Sequence, residues 1–301
     1  MTSVAQFSAL SREIAGLVER VGGRVVAVNG GSRHGASGIH WRPGVIVTAE
    51  LALERDENLS VTLPGGREVA ASLAGRDPST DIAVLRFVAD GLPVVDIGDA
   101  SELHAGHLAL AIGDHAGVPT ASLGIVGFAG GAWESARGGV IDGLIRLDLT
   151  LSASAEGGAV VDAEGRVVGM AVFAPRRRVL VIPARTIDRV VDPLLAKGRI
   201  PRGYLGAGLH RVELPAQAGV EAAERRHGLL VISVDPKGPA APAGVRIGDI
   251  ITQWNGTALT RVRELMRELG PDSVGRSVEL RLLRGDAEVV LRVTLGERPA
   301  A

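Results

Sequence analysis

Most of this chain is built from short β-branched runs, each interrupted within a few residues by Gly, Pro, Asn or Asp. "GRVVAVNG", "GVIVTAEL", "LSVTLPGGREVAASLAGRD", "TDIAVLRFV" and "HLALAIGD" are followed by "SLGIVGFAG", "VIDGLIRLDLTL", "GAVVDAEGRVVGMAVF" and "RRVLVIPA". So many short strands at regular spacing predict antiparallel barrels or sandwiches. Within the series, "DAEGRVVG" reads as a hairpin that turns over Asp162 to Gly165 between two apolar strands.

Helical periodicity appears in only a few places. At the N-terminus Phe7, Leu10, Ile14, Leu17, Val18 and Val21 recur at helical spacing, which predicts an amphipathic helix docked on a core. "ARTIDRVVDPLLAKG" places Ile187, Val190, Val191, Leu194 and Leu195 on one face, with Gly198 as C-terminal cap. "GRIPRG" then reads as a linker. Beyond it lie strands "YLGAGLHRV", "GLLVISVD" and "DIITQWNG", a helix from Thr260 to Leu269, and strands "SVELRLLRG" and "AEVVLRVTL". The expected organisation is an N-terminal helix over 1–22, a β-barrel domain over 23–198 and a smaller β-rich domain over 199–301.

Composition narrows the function classes. Basic and acidic residues number 33 and 34, so no net charge favours nucleic acid or an anionic surface. Lys occurs only at 197 and 237, and the Arg residues are scattered. With no Cys, disulfides, thiolate metal sites and thiol nucleophiles are excluded. No apolar run reaches the length of a membrane span. Acidic residues interrupt the N-terminal segment where a signal peptide would be apolar, so the sequence as it stands predicts a cytoplasmic protein, or a periplasmic one if a leader has been removed. No cofactor is expected.

"LSASAEGGAVVD", residues 151–162, has the layout of a reactive turn: a strand leads in, small residues and Gly-Gly follow, and a second strand leads out. Here the resemblance to a known family becomes specific. The chain resembles the HtrA type, a trypsin-like double six-stranded antiparallel β-barrel followed by a PDZ domain, over residues 15–295 or so. In that family a strand ending T-x-x-H carries the catalytic His, a D-x-x-T-D-[IL]-A-V-L segment the Asp, and G-N-S-G-G the nucleophilic Ser. In this sequence "GVIVTAEL" puts Leu51 at the His position and "DPSTDIAVLRF" keeps Asp81. "SAEGG" puts Ser154, Ala155 and Glu156 where Gly, Asn and Ser would stand, followed by Gly157.

Acyl transfer to a serine needs a hydroxyl, a base within reach and a carboxylate that orients the base. Leu51 accepts no proton, and Glu156 carries negative charge where an oxyanion would develop. The sequence therefore predicts an inactive protease homologue, with Asp81 serving as a cap or ion-pair partner. Two readings of Glu156 stay open: it points into solvent, or it fills the former oxyanion hole by accepting from the amides around Ser154 to Gly158. The competing class is an active serine endopeptidase of protein quality control with a non-standard site, for which Ser152 and Ser154 are the available hydroxyls. His104, His107 and His115 match no strong metal-ligand spacing and read as surface histidines. Arg176 to Arg178 read as a solvated loop, with an ion pair to Glu156 as the alternative.

In the family's PDZ domain a loop of backbone N–H groups captures a peptide's C-terminal carboxylate, and the peptide adds as a strand. "RGYLGAGL" resembles that loop and puts Tyr204, Leu205, Gly206 and Ala207 in its positions; "GPAAPAGVRIGDIITQWNG" resembles the PDZ signature. Val262, Leu265 and Met266, on the apolar face of the following helix, are the expected pocket for the last side chain. The resemblance implies binding of C-terminal or hydrophobic peptide segments, with the barrels as scaffold, chaperone surface or regulator. It also implies a homo-oligomer, often a trimer, or a mixed oligomer with an active homologue.

Overall fold

The computed structural model describes residues 2–32, 35–214 and 227–299. It divides into two compact units, Met1–Ile200 and Pro201–Ala301.

The first unit is mainly β. Strands β1 (Val25–Asn29), β2 (Ala36–Arg42), β3 (Val45–Ala49), β4 (Leu59–Thr62), β5 (Glu68–Asp77) and β6 (Ile82–Phe87) close a six-stranded antiparallel barrel in the order β1-β2-β3-β6-β5-β4. Then come β7 (Leu108–His115), β8 (Val118–Gly130), the short pair β9 (Trp133–Glu134) and β10 (Val140–Ile141), β11 (Leu144–Asp148), β12 (Ala159–Val161), β13 (Val167–Ala174) and β14 (Arg178–Pro183). A second barrel closes in the order β11-β14-β13-β12-β7-β8. Closure removes the exposed edges that open sheets present. The run "VIDGLIRLDLTL" thus contains two elements, β10 and β11, parted at Asp142-Gly143. The expected hairpin joins β12 to β13, with Gly165 N–H donating to Asp162 O.

Helix α2 (Ala184–Lys197) buries Ile187, Val190, Val191 and Leu194 and ends at Gly198, whose φ of 71° suits a residue without a Cβ. Trp41 Nε1 donates to Asp188 at 2.8 Å and Arg42 pairs with Asp192 at 2.6 Å, which ties α2 to β2. Helix α1 (Thr2–Gly22) docks by half. Ile14, Leu17, Val18 and Val21 join the core, but Phe7 is 76% exposed and Leu10 44% exposed. The full apolar stripe expected from periodicity is therefore covered only over its C-terminal turns.

In the second unit β16 (Ala207–Glu213), β17 (His227–Val234), β18 (Ile250–Trp254), β20 (Ser277–Arg284) and β21 (Ala287–Thr294) form one sheet, with β19 (Thr257–Ala258) beside β18. β15 (Gly203–Tyr204) pairs with β22 (Gly296–Glu297). The expected strand "YLGAGLHRV" is broken at Leu205-Gly206, where Gly206 takes a φ of 77°. Helix α3 covers Val262–Glu268. Its expected cap, Thr260, lies one residue outside, and Glu264 accepts from the backbone N–H groups of Thr260 and Arg261.

Candidate functional site

Leu51, Asp81 and Glu156 come together in the first unit. Leu51 lies in the turn Glu50–Ala52 that follows β3, and its side chain is 55% exposed. Asp81 adopts a left-handed φ of 58°, which Asp tolerates better than most residues. That conformation turns its carboxylate onto the Leu51 N–H at 2.9 Å, while its own carbonyl accepts from Glu50 N–H. Asp81 thus caps the turn that carries Leu51. Burial pushes the Asp81 carboxyl up to about 7; the Leu51 N–H opposes this, and the charges of Glu156 and Glu50 reinforce it.

Glu50 was not signalled by any motif. It is 8% exposed and pairs with Arg76 at 3.5 Å and Arg137 at 3.4 Å. Two guanidiniums around a buried carboxylate satisfy the rule that buried charge must be paired. The sequence hides this cluster because its members lie far apart along the chain.

The loop at 151–158 is folded inward on itself. A short turn, Ala153–Ala155, precedes Glu156. Ala155 N–H donates to Ser152 O, Glu156 N–H to Ala153 O, Gly157 N–H to Ala171 O and Gly158 N–H to Ala155 O, at 2.8–3.3 Å. These four amides are therefore occupied by backbone carbonyls. Ser37 of β2 fastens the loop from outside. Its N–H donates to Glu156 O at 2.8 Å, and its hydroxyl donates to Ser154 O at 2.6 Å and accepts from Asp114 N–H at 2.8 Å. Gly157, with a φ of 83°, is packed so closely that a Cβ would lie 2.3 Å from Ser37 O. No side chain fits there.

Neither sequence reading of Glu156 describes its carboxylate. It is half-buried, and it accepts at 3.2 Å from Phe173 N–H, at the end of β13, rather than from the loop amides. The amides of residues 155–158 are already used, whereas the Phe173 amide donates to the carboxylate. Burial raises the Glu156 carboxyl above its ordinary value, opposed by the Phe173 N–H and the nearby charge of Arg177. Arg177 stacks its guanidinium 4.5 Å from the centre of the Phe173 ring, and no ion pair to Glu156 is formed among the described residues.

Among the described residues, the other hydroxyls and imidazoles singled out in the sequence do not converge on a reactive centre. Ser154 is buried, and its Oγ contacts Ser152 Oγ at 2.9 Å. His104 and His107 contact each other, and His104 Nδ1 lies 2.9 Å from Glu102 O. His115 sits exposed at the end of β7.

In the second unit, Leu205 O accepts from Ala240 N–H and Gly206 O accepts from Asp235 N–H, both at 2.8 Å. Their carbonyls are thus pinned, while the N–H groups of Leu205 and Gly206 donate to no group among the described residues. A Cβ at Gly206 would lie 2.8 Å from Gly238 Cα. Tyr204 hydroxyl donates to Asp235 at 2.9 Å and braces the loop. β16 starts at Ala207, pairs with β17 on one side and forms an edge of the sheet on the other. On α3, Val262 and Met266 are 37% and 40% exposed. Leu265 is 2% exposed and packs in the core, so it does not line an open pocket as expected, and the Leu205 side chain is buried likewise.

A trypsin-like peptidase domain model matches residues 36–170, and a PDZ domain model matches residues 203–295. A probable periplasmic serine endoprotease, DegP-like, of Bartonella henselae is 34% identical over 270 residues, covering 85% of this chain and 52% of the relative. The putative serine protease HhoB of Synechocystis is 30% identical, covering 85% of this chain and 64% of the relative. The chain thus spans about half to two thirds of the length of these relatives. Among solved structures, the serine endoprotease from Yersinia pestis superposes with a TM-score of 0.71 at 29% identity, covering 94% of this chain and 97% of that one. The HtrA-type protease AlgW with tripeptide superposes with a TM-score of 0.68 at 26% identity, covering 95% and 98%. The chain belongs to the HtrA-type family, with a trypsin-like double barrel followed by a PDZ domain. The expected cytoplasmic location finds no support in these relatives, since the Bartonella protein is named periplasmic. No described helix is long and apolar enough to cross a membrane.

Proposed function

We propose that this chain is a non-proteolytic HtrA-type protein that works by binding peptides through its PDZ domain. The observation that carries the reading is the loop at Leu205-Gly206, whose carbonyls are pinned and whose two N–H groups are left to donate. A peptide's terminal carboxylate supplies the matching acceptor, its backbone extends the sheet at β16, and its last side chain reaches Val262 and Met266. Such a short added strand buries little surface and loses its own freedom, so affinity is on the order of micromolar. The absence of catalysis is supported by Leu51 in place of a base, Glu156 in place of a nucleophile, and amides at 155–158 spent on backbone carbonyls. Clients or an active homologue in a mixed oligomer are the partners this implies.

The test is calorimetric titration of the full chain with peptides that end in an apolar residue, as free acids and as amides. Free acids binding at least tenfold more tightly than amides supports the reading; equal binding, or none, overturns it. Casein cleavage above a buffer control, or labelling by a fluorophosphonate probe that Ser152→Ala or Ser154→Ala abolishes, would restore the endopeptidase alternative.

A further inference from the structure

The sheet of the second unit has two edges. One is β16; the other is β21, which pairs with β20 and with no other described strand. An open edge is a template for another chain, and edge strands are usually short, bulged or guarded by Lys or Pro. β21 has none of these guards. It is 8 residues long, "AEVVLRVT", and its register with β20 runs from Ser277 opposite Thr294 to Arg284 opposite Ala287 without a shift. The direction of its backbone groups follows from its neighbours. Leu295 N–H donates to Arg276 O in the same register, so Leu291 and Val293 also turn their backbone groups toward β20. Glu279, opposite Arg292, spends its backbone on the other side: its carbonyl accepts from Asn255 N–H and its N–H donates to Asn255 Oδ1, both at 2.8 Å. Glu288, Val290 and Arg292 therefore present N–H and C=O groups away from the sheet.

We infer that β21 is a self-pairing edge, at which a second copy of this chain adds its own β21 antiparallel and centred on Val290. The charges select this occupant and this register. Two-fold pairing about Val290 sets Glu288 of each copy opposite Arg292 of the other, on the same face of the sheet, and opposite charges directly across a strand pair attract. Any other centre loses both ion pairs. Arg292 is available for the contact: it is exposed and forms no ion pair among the described residues, although Glu279 lies opposite it. Glu288 holds Arg281 at 3.1 Å with its side chain still 55% exposed, so it can take a second cation. Between the two charges Val290 is 51% exposed and meets its own symmetry mate. On the other face Val289 and Leu291 are only partly buried against the core, and pairing extends that core across the edge. Because β16 lies at the far side of the sheet, it stays open in the pair. One strand pair buries little surface, so the association is weak, on the order of 100 µM.

The experiment uses the full chain, which has no Cys, so an introduced thiol is the only one present. Directly opposed residues in a hydrogen-bonded antiparallel pair have Cα atoms about 5.5 Å apart, within the span of a disulfide. Under mild oxidation Val290→Cys is expected to form a covalent dimer at least tenfold faster than Glu288→Cys, whose thiols lie about 13 Å apart in this register. Glu288→Cys mixed with Arg292→Cys is expected to give the mixed dimer at the faster rate. Val290→Cys that crosslinks no faster than Glu288→Cys overturns the proposal, as does a mixture that yields no mixed dimer. Sedimentation over a concentration series supplies a second readout. Val290→Pro removes an outward N–H and no bond of the existing ladder, a position at which an edge strand accepts proline. It is expected to weaken self-association at least tenfold with an unchanged circular dichroism spectrum; parent-like association in a folded Val290→Pro variant overturns the pairing, and if that variant unfolds the crosslinking rates decide.

Discussion

Two loops in this chain handle the same chemical groups in opposite ways. At 155–158 four consecutive backbone N–H groups all donate to backbone carbonyls of the protein itself. At 205–206 the carbonyls are engaged, and the N–H groups donate to no group among the described residues. Both loops turn on a glycine with positive φ, Gly157 at 83° and Gly206 at 77°, each packed where a Cβ would collide with backbone. Similar local chemistry thus yields a self-satisfied loop in one domain and a loop with N–H groups left to donate in the other. What differs is the neighbouring backbone. Ala171, Ser152 and Ala153 bring carbonyls to the first loop, whereas Asp235 and Ala240 bring N–H groups to the second.

The sharpest way to break this contrast is at the glycines. Gly157→Ala forces a Cβ to within 2.3 Å of Ser37 O in a left-handed conformation, and a loss of about 3 kcal/mol or more in urea unfolding is expected. Gly206→Val should instead leave the first unit intact and abolish binding of free-acid peptides, measured by titration alongside circular dichroism. If Gly206→Val bound normally, the leftover N–H groups would not be the receptor.

A next test concerns charge in the closed cleft. Asp81 has a folded pKa of about 7 against an ordinary 3.8, because burial and neighbouring carboxylates disfavour its charge. The folded state therefore binds more proton than the unfolded state between about pH 4 and about pH 7, and this group makes stability fall as pH rises through that window. Asp81→Asn keeps an acceptor for Leu51 N–H and removes the charge. It should flatten the decline, with a gain of about 2–4 kcal/mol above pH 7 relative to the parent. An unchanged pH profile in urea unfolding would show that another group dominates.

Ser37→Ala removes the hydroxyl shared by Ser154 O and Asp114 N–H, and a cost of about 1–3 kcal/mol is expected from the buried groups left unpaired. The smallest effect is expected on the receptor side. Met266→Ala should weaken peptides with a large apolar last residue by about 1 kcal/mol, read by calorimetry, and barely affect those ending in Ala. The Leu265→Ala variant should differ in kind, losing about 2–4 kcal/mol of stability because its side chain belongs to the core.

Much of the fold was legible in the sequence because it rests on local pattern. Short β-branched runs parted by turn residues, the Asp162–Gly165 turn and the Gly198 cap each have short-range physical causes, and each occurs as expected. That Leu stands at 51 and Glu at 156 is plain from identity alone. Periodicity misjudged how much of a helix face would be covered: Phe7 and Leu10 share the stripe of Leu17 and Val21, yet remain exposed. A stripe states which residues can be buried, and only the presence of a partner surface buries them. The same holds for α3, where spacing cannot tell Leu265, turned to the core, from Met266, turned outward.

Which group a polar side chain meets was decided by the tertiary structure. Glu156 meets Phe173, Glu50 meets Arg76 and Arg137, and Ser37 meets Ser154 and Asp114, across separations that no local pattern encodes. Backbone strand pattern depends on neighbours a few residues away, so the amino-acid order carries it directly. The partner of a buried carboxylate or amide depends on which distant donors barrel closure brings within about 3 Å, because a hydrogen bond fails beyond that range. The sequence therefore determined that this chain folds as two barrels and a PDZ domain, and packing alone decided that the Glu156 carboxylate meets the Phe173 amide.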